Sequence, residues 1–355
     1  MSASSHAKAR GPSALAHFAD SNRKSREGRE VPGAHHMSQK KFLLSTEQIS
    51  KETAHFTIGF ARLTASKTAE DAESAGSGTL VTIGSLHGVL TAAHVLDALP
   101  KKGAVGIVTF VDRPSDFQKQ IVMMENTEEV VMRGKDFGQI GPDLGFLRLP
   151  EESLGWLKAK NSFYNLPKHR ADVLARKEPT ASHVDSLTGI IHEFTKDAPT
   201  GRPSERRKEF TAIFCGARLA ALRYPANYEL YYYEPTSDPG FTLPKSFQGT
   251  SGAAVWRFYV AEKDGSVNVV DRRLIAVPFY ESLSSNGKRE ITCHGPKGIY
   301  GPFMDAIIGE MAEKTKAGGD CIHFTVLCDR EFPSALPPCR RSSSTCSTCA
   351  GDRGS

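Results

Sequence analysis

The sequence predicts an all-β protein made of two six-stranded antiparallel β-barrels with a C-terminal α-helix. Short runs of β-type residues recur between Gly, Pro, Asn and Asp turns, and six such runs fall in each half of the chain. One amphipathic segment follows them. The length of 355 residues suits about two domains of ordinary size.

The six predicted strands of the first half would close a barrel and so leave no exposed strand edge. They cover residues 56–63, 78–83, 89–92, 105–111, 129–132 and 144–149. The second half repeats the pattern. Its predicted strands cover residues 189–194, 210–214, 229–233, 253–260 and 273–279, with a short run near Ile299.

The C-terminal helix is predicted over residues 302–317. Pro302 suits a first turn, Phe303, Ile307 and Met311 form one apolar stripe, and a Gly pair at 318–319 ends the segment. The domain organisation follows from these patterns. We expect a flexible basic arm (1–41), a first barrel (42–150), a second barrel with the helix (151–330) and a disordered Ser- and Cys-containing tail (331–355), while residues 195–207 read as a mobile surface insertion.

The net charge of +5 comes entirely from residues 1–41, which hold eight Lys or Arg against three acidic residues. The remaining chain has 37 residues of each sign, so nucleic acid binding is not expected except through the basic arm. No apolar run approaches the ~20 residues that a membrane span requires. The arm lacks the apolar stretch of a secretory signal. The sequence therefore predicts a cytoplasmic protein without a membrane partner.

Seven cysteines, an odd number, favour reduced thiols. Cys339, Cys346 and Cys349 cluster in the tail, where a zinc site would need a fourth ligand that is not obvious from the sequence. Whether these three bind a metal stays open. We expect no metal or nucleotide cofactor elsewhere in the protein.

A histidine stands at the end of an apolar strand in the segment GSGTLVTIGSLHGVLTAAHVL, residues 76–96. His94 alone is ambiguous, because such a residue is more often a satisfied core or surface histidine than a catalyst. The small residues Ala92 and Ala93 would let its imidazole turn back against the barrel. The Gly-Ser-Gly at 76–78 reads as a turn before a strand, since no Lys-Ser or Lys-Thr follows it as in a phosphate-binding loop.

An aspartate opens the strand in PDLGFLRLP, residues 142–150. Asp143 has two readings. It is either a turn former at the mouth of the strand, or the buried carboxylate that orients an imidazole and stabilises the imidazolium formed in catalysis.

A serine lies between two glycines in PKSFQGTSGAAVW, residues 244–256. Gly249 and Gly252 allow a tight bend that exposes the Ser251 hydroxyl and aims the amides of Gly249 and Ser251 at one point. Two converging N–H groups would form an oxyanion hole. As an isolated motif, Gly-Thr-Ser-Gly is more often a simple turn.

The three motifs occur in the order His94, Asp143, Ser251, and together they resemble a trypsin-like (chymotrypsin-fold) serine protease. The resemblance covers about 250 residues and rests on TAAHV, DLGFL and GTSG. It implies two six-stranded barrels with the active site in the cleft between them. It also implies a serine endopeptidase in which Ser251 is the nucleophile, His94 the general base and Asp143 the residue that orients His94.

Two departures limit the resemblance. Thr250 stands where secreted members have an acidic residue, so the chain is closer to intracellular bacterial-type members than to secreted zymogens; Ala253, in place of a second glycine, is a small perturbation. We expect a resting form with an incomplete oxyanion hole, through a reversed peptide near Gly249 or occlusion by residues 195–207 or 238–247, and activation by a protein partner or another trigger. The alternative is a catalytically dormant, protease-like binding or scaffold module.

The substrate of such an enzyme would be a polypeptide. Counting six residues back from Ser251 puts Lys245 near the floor of the first specificity pocket, although it can equally be a solvated loop residue. Phe279, with Tyr280, is expected to narrow the pocket entrance. The preferred substrate side chain is not predicted.

Overall fold

The structure, a computed structural model, describes most of the chain between residues 44 and 318. The described residues are 44–65, 70–111, 117–134, 142–199, 206–224, 228–237, 241–284 and 287–318. They belong to one unit, which begins at Leu44. The predicted N-terminal arm and the C-terminal tail with Cys339, Cys346 and Cys349 lie outside the described residues.

The described residues are mostly β, as predicted, and nearly all strand pairs are antiparallel. The strands before residue 180 are β1 (Thr57–Ala65), β2 (Glu70–Ile83), β3 (Leu86–Thr91), β4 (Ala104–Phe110), β5 (Phe117–Met123), β6 (Glu128–Arg133), β7 (Asp143–Arg148) and β8 (Tyr164–Asn165). Those after it are β9 (His183–Ile190), β10 (Lys196–Pro199), β11 (Arg206–Glu209), β12 (Ala212–Arg223), β13 (Leu230–Thr236), β14 (Val255–Lys263), β15 (Ser266–Leu283) and β16 (Arg289–His294).

Helices fill the connections and follow the last strand. They are α1 (Thr46–Thr53), α2 (Ala93–Ala98), α3 (Glu151–Lys160), α4 (Leu166–Leu174), α5 (Pro296–Gly298) and α6 (Met304–Gly318). The predicted C-terminal helix is confirmed as α6. In the described part of the chain, no helix combines the length and the apolar character needed to cross a bilayer.

The predicted strand near Ile299 is wrong. Residues Ile299–Phe303 form a short helical turn with a kink at Gly301, and the preceding strand, β16, ends at His294, five residues before Ile299. Pro302 explains the difference, because it fixes φ near a helical value and has no N–H to give to a strand ladder.

The first sheet is an open path of strands in the order β5-β4-β1-β2-β3-β7-β6, with β8 beside β2 in parallel. The sequence did not predict β5. Exposure alternates from Lys119 to Met123, but the exposed Ile121 and Met123 are apolar like the buried Val122, so the sequence shows no alternation of apolar and polar residues there. A closed six-stranded barrel is thus not confirmed here, because β5 and β6 end the path without pairing with each other.

The second sheet is a ring of six strands in which each strand pairs with two neighbours, in the order β12-β13-β16-β15-β14-β9. The long strand β15 joins both sides, since its first half pairs with β14 and its second half with β16. Side chains that include Leu187, Ile213, Val255 and Ile275 form the buried core of this sheet. Two matched six-stranded barrels are therefore not confirmed.

The segment predicted as a mobile insertion contains regular structure at both ends. Lys196–Pro199 pairs antiparallel with Arg206–Glu209, so β10 and β11 form a separate two-stranded sheet. Residues 200–205 between them lie outside the described residues.

Ser77 joins the two large sheets. It is a fully buried residue of β2, and its hydroxyl donates to the Gly249 carbonyl at 2.6 Å and accepts from the Ile190 amide at 2.8 Å. Its own amide donates to the Ser251 carbonyl at 2.9 Å. One side chain and one peptide of the first sheet thus satisfy backbone groups that belong to the second sheet and its connecting loop.

We predict that Ser77→Ala lowers the free energy of unfolding by about 3 kcal/mol, because it leaves a buried N–H and a carbonyl without that partner. Ser186→Ala is the matched control. Ser186 is equally buried, but its hydroxyl makes one bond, to the Cys215 carbonyl at 2.8 Å. We expect about 1 kcal/mol for the control. Equal losses in urea denaturation would contradict the role assigned to Ser77.

Candidate active site

The structure puts His94 and Asp143 side by side because their strands are neighbours. β3 ends at Thr91, and His94 lies in the first turn of α2, after the fully buried Ala92. Asp143 is the first residue of β7, which pairs antiparallel with β3. In an antiparallel pair, the end of one strand adjoins the start of the other.

Both oxygens of the Asp143 carboxylate bind His94. Oδ1 accepts from the His94 amide at 2.9 Å, and Oδ2 lies 2.5 Å from the ring Nδ1. The Asp143 side chain is 4% exposed, against 32% for His94. Burial alone would raise the pKa of Asp143, but the hydrogen bonds and charge of His94 hold that pKa below its ordinary value.

This arrangement determines which nitrogen of His94 is basic. With Nδ1 donating to the carboxylate, the neutral ring has its lone pair on Nε2. The carboxylate also satisfies an amide of the first helical turn, so a turn former alone does not account for both contacts. The pair has the geometry of a general base that is oriented by a carboxylate.

The turn that contains Ser251 requires its two glycines. Gly249 has φ +101° and Gly252 has φ +82°, both in the region that side chains rarely adopt. A Cβ on Gly252 would lie 2.0 Å from Thr91 Oγ1 and 2.8 Å from the Ala92 amide nitrogen. The absence of a side chain therefore lets the serine turn approach the strand that leads to His94.

Backbone bonds fasten this turn on both sides. The Ser251 carbonyl accepts from Ser77, and the Gly252 amide donates to the Pro278 carbonyl at 2.8 Å. Gly76 lies between the helix that contains His94 and the serine turn. A Cβ on Gly76 would be 2.7 Å from Val95 and 3.4 Å from the Ser251 carbonyl oxygen. The structure thus brings Ser251 beside the segment that holds His94.

The amides of Gly249 and Ser251 differ from their neighbours. Those of Thr250, Gly252 and Ala253 donate to carbonyls, whereas within the described residues the amides of Gly249 and Ser251 have no acceptor. The His192 amide donates to the Gln248 carbonyl at 2.9 Å. Because a trans peptide directs its C=O and N–H oppositely, this bond turns the Gly249 N–H away from His192.

A cavity of about 280 Å³ opens beside Ser251. Phe279 is one of its walls, as the sequence suggested for the pocket entrance. Lys245 is exposed, and its amide donates to Glu193 at 2.7 Å; its neighbour Ser246, not Lys245 itself, is among the lining residues. The lining residues are Ser246, Phe247, Gln248, Thr250, Ser251, Pro278, Phe279, Tyr280, Glu281 and Ile291.

Glu281 gives this cavity a charged group that the sequence analysis missed. Its Oε2 accepts from the Ser246 hydroxyl at 2.9 Å and from the Phe247 amide at 3.0 Å. Its Oε1 binds Arg289 at 2.5 Å. No spacing signal relates Glu281 to Ser251, because the two meet only through the pairing of β15 with the serine turn.

His294 is a second residue that sequence reasoning missed. Its Nε2 accepts the Asp143 amide at 2.9 Å, and its side chain is almost completely buried. Burial lowers the pKa of His294 to about 4, although the Asp143 charge acts in the opposite direction. A lone histidine at the end of a strand carries no signal that would have distinguished it in the sequence.

No protein-family model and no curated protein matches the chain. The resemblance to trypsin-like proteases therefore rests on the motifs and their geometry. Among the described residues, no group of three or more His, Cys, Asp or Glu side chains is arranged to hold a metal ion. The expectation that the protein needs no cofactor stays a prediction.

We predict that Gly252→Ala destabilises the protein far more than Gly265→Ala. Both positions have positive φ, +82° and +74°. A residue with a Cβ in this left-handed conformation costs about 1–2 kcal/mol of stability, and this cost is common to both variants. A Cβ on Gly265 has open space, whereas at Gly252 it would meet the Ser77 carbonyl oxygen at 2.4 Å. Urea denaturation should give Gly252→Ala an additional loss of about 1–3 kcal/mol. Similar losses would mean that the close approach is not real.

We also predict that His294 makes the free energy of unfolding depend on pH. Its pKa is about 4 when folded, against 6.5 ordinarily, so an unfolded chain binds the proton first as the pH falls. This stabilisation is complete above pH 6.5 and declines towards pH 4 by about 3 kcal/mol. His294→Gln removes it. The stability difference between wild type and His294→Gln should therefore shrink from pH 7 to pH 4; a constant difference in urea denaturation would refute it.

Proposed function

We propose that the protein is a serine endopeptidase that hydrolyses peptide bonds through Ser251, His94 and Asp143 by way of an acyl-enzyme. The observation that carries this proposal is the double contact of the buried Asp143 carboxylate with the ring and the amide of His94. A structural ion pair needs no such control of the ring, whereas a general base does. The close approach of the Ser251 turn to the His94 segment supports it.

In the proposed reaction, His94 Nε2 removes the proton of the Ser251 hydroxyl as its oxygen attacks the substrate carbonyl carbon. The ring becomes an imidazolium, and the Asp143 carboxylate stabilises the new charge without taking the proton. The imidazolium then protonates the departing amine, which leaves the acyl group on Ser251. A water molecule, deprotonated by His94, hydrolyses the ester and restores the serine.

The amides of Gly249 and Ser251 are the proposed oxyanion hole. Both lack an acceptor within the described residues, and the Gln248–His192 bond holds the Gly249 peptide in one orientation. Preformed donors of this kind stabilise the charge of the tetrahedral intermediate, and loss of one typically costs about 2.7–4 kcal/mol of transition-state stabilisation.

We relate the chain to the trypsin-like serine proteases on this basis. The mostly antiparallel β architecture is compatible with their two-barrel fold. The general base and the carboxylate come from the first sheet, and the nucleophile comes from a loop of the second, in the chain order of that family. The ring of β9 and β12–β16 would correspond to the second barrel, and the open first sheet to the first.

The cavity beside Ser251 is the proposed pocket for a side chain of a polypeptide substrate. Phe247, Phe279 and Ile291 supply apolar walls, and Glu281 supplies a polar end whose charge Arg289 offsets. Lys245 stays a predicted contributor to substrate binding from the exposed side.

Gating by a protein partner is the remaining part of the proposal. A resting form with the Gln248–Gly249 peptide reversed would have to break the bond from the His192 amide to the Gln248 carbonyl. The Ser77 hydroxyl holds the next peptide, through the Gly249 carbonyl. An activating partner would then act by favouring the form in which the His192–Gln248 bond is made.

We predict that Ser251→Ala abolishes both covalent labelling by a fluorophosphonate probe and hydrolysis of casein, with a loss in kcat on the order of 10⁶-fold. Asp143→Asn should reduce kcat on the order of 10⁴-fold, because the His94 ring is no longer held in the productive tautomer. Rates of labelling and of peptide release measure both effects.

Ser266→Ala is the matched control, since Ser266 is an exposed serine at the start of β15. It should react like the wild type. If the folded wild-type protein is not labelled, or if Ser251→Ala is labelled equally, the endopeptidase proposal fails and the dormant binding module becomes the better description.

A further inference from the structure

His294 contacts the backbone amide of Asp143, whereas His94 contacts its carboxylate. His294 is the last residue of β16, in the ring of strands, whereas Asp143 begins β7 of the first sheet. The contact between the Asp143 amide and His294 Nε2 joins residues 151 positions apart in the chain. It is therefore a bond between the two sheets, directed at the backbone of the residue whose carboxylate holds His94.

The hydrogen bond requires a neutral ring with its proton on Nδ1, because Nε2 accepts. The surroundings keep it so. His294 is 1% exposed and stacks on Phe279, with ring centroids 4.2 Å apart and planes 12° apart. The Tyr228 ring lies at a steep angle to it, with centroids 6.4 Å apart. Among the described residues, the titratable groups that face the ring are Asp143 and Tyr228.

The Asp143 backbone is supported differently on its two sides. Towards β6, Asp143 pairs with Arg133, and the Pro142 carbonyl accepts from the Gly134 amide at 3.0 Å. Towards β3, the pairing stops at Gly145, opposite Thr91. Within the described residues, the Asp143 amide therefore has a side chain, His294, as its acceptor instead of a neighbouring strand.

The same histidine is connected to the nucleophile. His294 lies opposite Val277 of β15, and the next residue, Pro278, accepts the Gly252 amide with its carbonyl. Asp143 and the Ser251 turn are thus anchored to adjacent positions of one strand pair.

We propose that His294 is a positioning residue of the active site, which holds Asp143 through its backbone amide and so aligns His94 with Ser251. The inference rests on the proposed endopeptidase function and goes beyond it, since His294 touches neither substrate nor the reacting atoms. A shift of about 1 Å in a reacting group can reduce a rate on the order of 10²-fold.

The test compares two variants. His294→Gln keeps an acceptor near the position of Nε2, and His294→Leu removes it while filling similar space. Both lose the stacking on Phe279, so the difference between them isolates the hydrogen bond. We expect His294→Leu to lose kcat on the order of 10²-fold with KM little changed relative to His294→Gln, and His294→Gln to keep most of the wild-type kcat.

Cys293→Ala is the control for damage to β16. Cys293 is the preceding residue, is fully buried, and packs in the core of the ring on the other face of the strand. It should lower stability and leave kcat unchanged. Wild-type kcat in His294→Leu, or equal losses in the Gln and Leu variants while both are folded, would overturn the inference.

A second readout does not depend on activity. The short bond between His94 Nδ1 and Asp143 Oδ2 should give a far-downfield proton resonance, retained in Cys293→Ala and His294→Gln and displaced or lost in His294→Leu. If the wild type proves inactive, the endopeptidase proposal fails, but the resonance still tests whether His294 positions Asp143. An unchanged resonance in His294→Leu would overturn the inference.

If His294→Leu does not fold, His294→Asn replaces it. Its acceptor is one bond too short to reach the Asp143 amide, while its polarity suits the site. The same loss of kcat and of the resonance is expected, and retention of both would overturn the inference.

Discussion

The hydrogen bonds of Ser77 hold the two sheets at the spacing on which the site depends. Its hydroxyl and amide satisfy Ile190, Gly249 and Ser251, and its carbonyl accepts the Thr91 hydroxyl at 2.7 Å. Ser77, Ile190 and Thr91 are buried, and Gly249 and Ser251 are half-buried. A buried polar group without a partner is costly, so a small separation of the sheets would leave several groups unpaired at once.

The candidate site contains one buried carboxylate, that of Asp143, and His94 contacts both of its oxygens. The backbone amide of Asp143 donates to the ring of His294. The two imidazoles differ in environment. His94 is partly exposed, whereas His294 is buried against aromatic rings, and burial lowers its pKa.

Sequence patterns predicted strands that are short β-type runs between turns, such as β4 and β7, and the helix α6 with its apolar stripe. They failed where a strand lacks such a run. β5 exposes the apolar residues Ile121 and Met123 at the edge of the first sheet, so its sequence does not show the alternation of apolar and polar residues that marks a half-buried strand. Helix α1 was also missed, although Ser45 and Gln48 form a capping box that could have revealed it.

The sequence by itself determined the local features of the site: a histidine after a strand, an aspartate opening another, and a serine between two glycines that adopt positive φ. These are properties of residue type and of a few neighbouring dihedral angles. Only the tertiary structure decided that His294 supports Asp143, that Glu281 ends the cavity and that Ser77 joins the sheets. Such contacts depend on the register and packing of strands far apart in the chain, which no local pattern encodes.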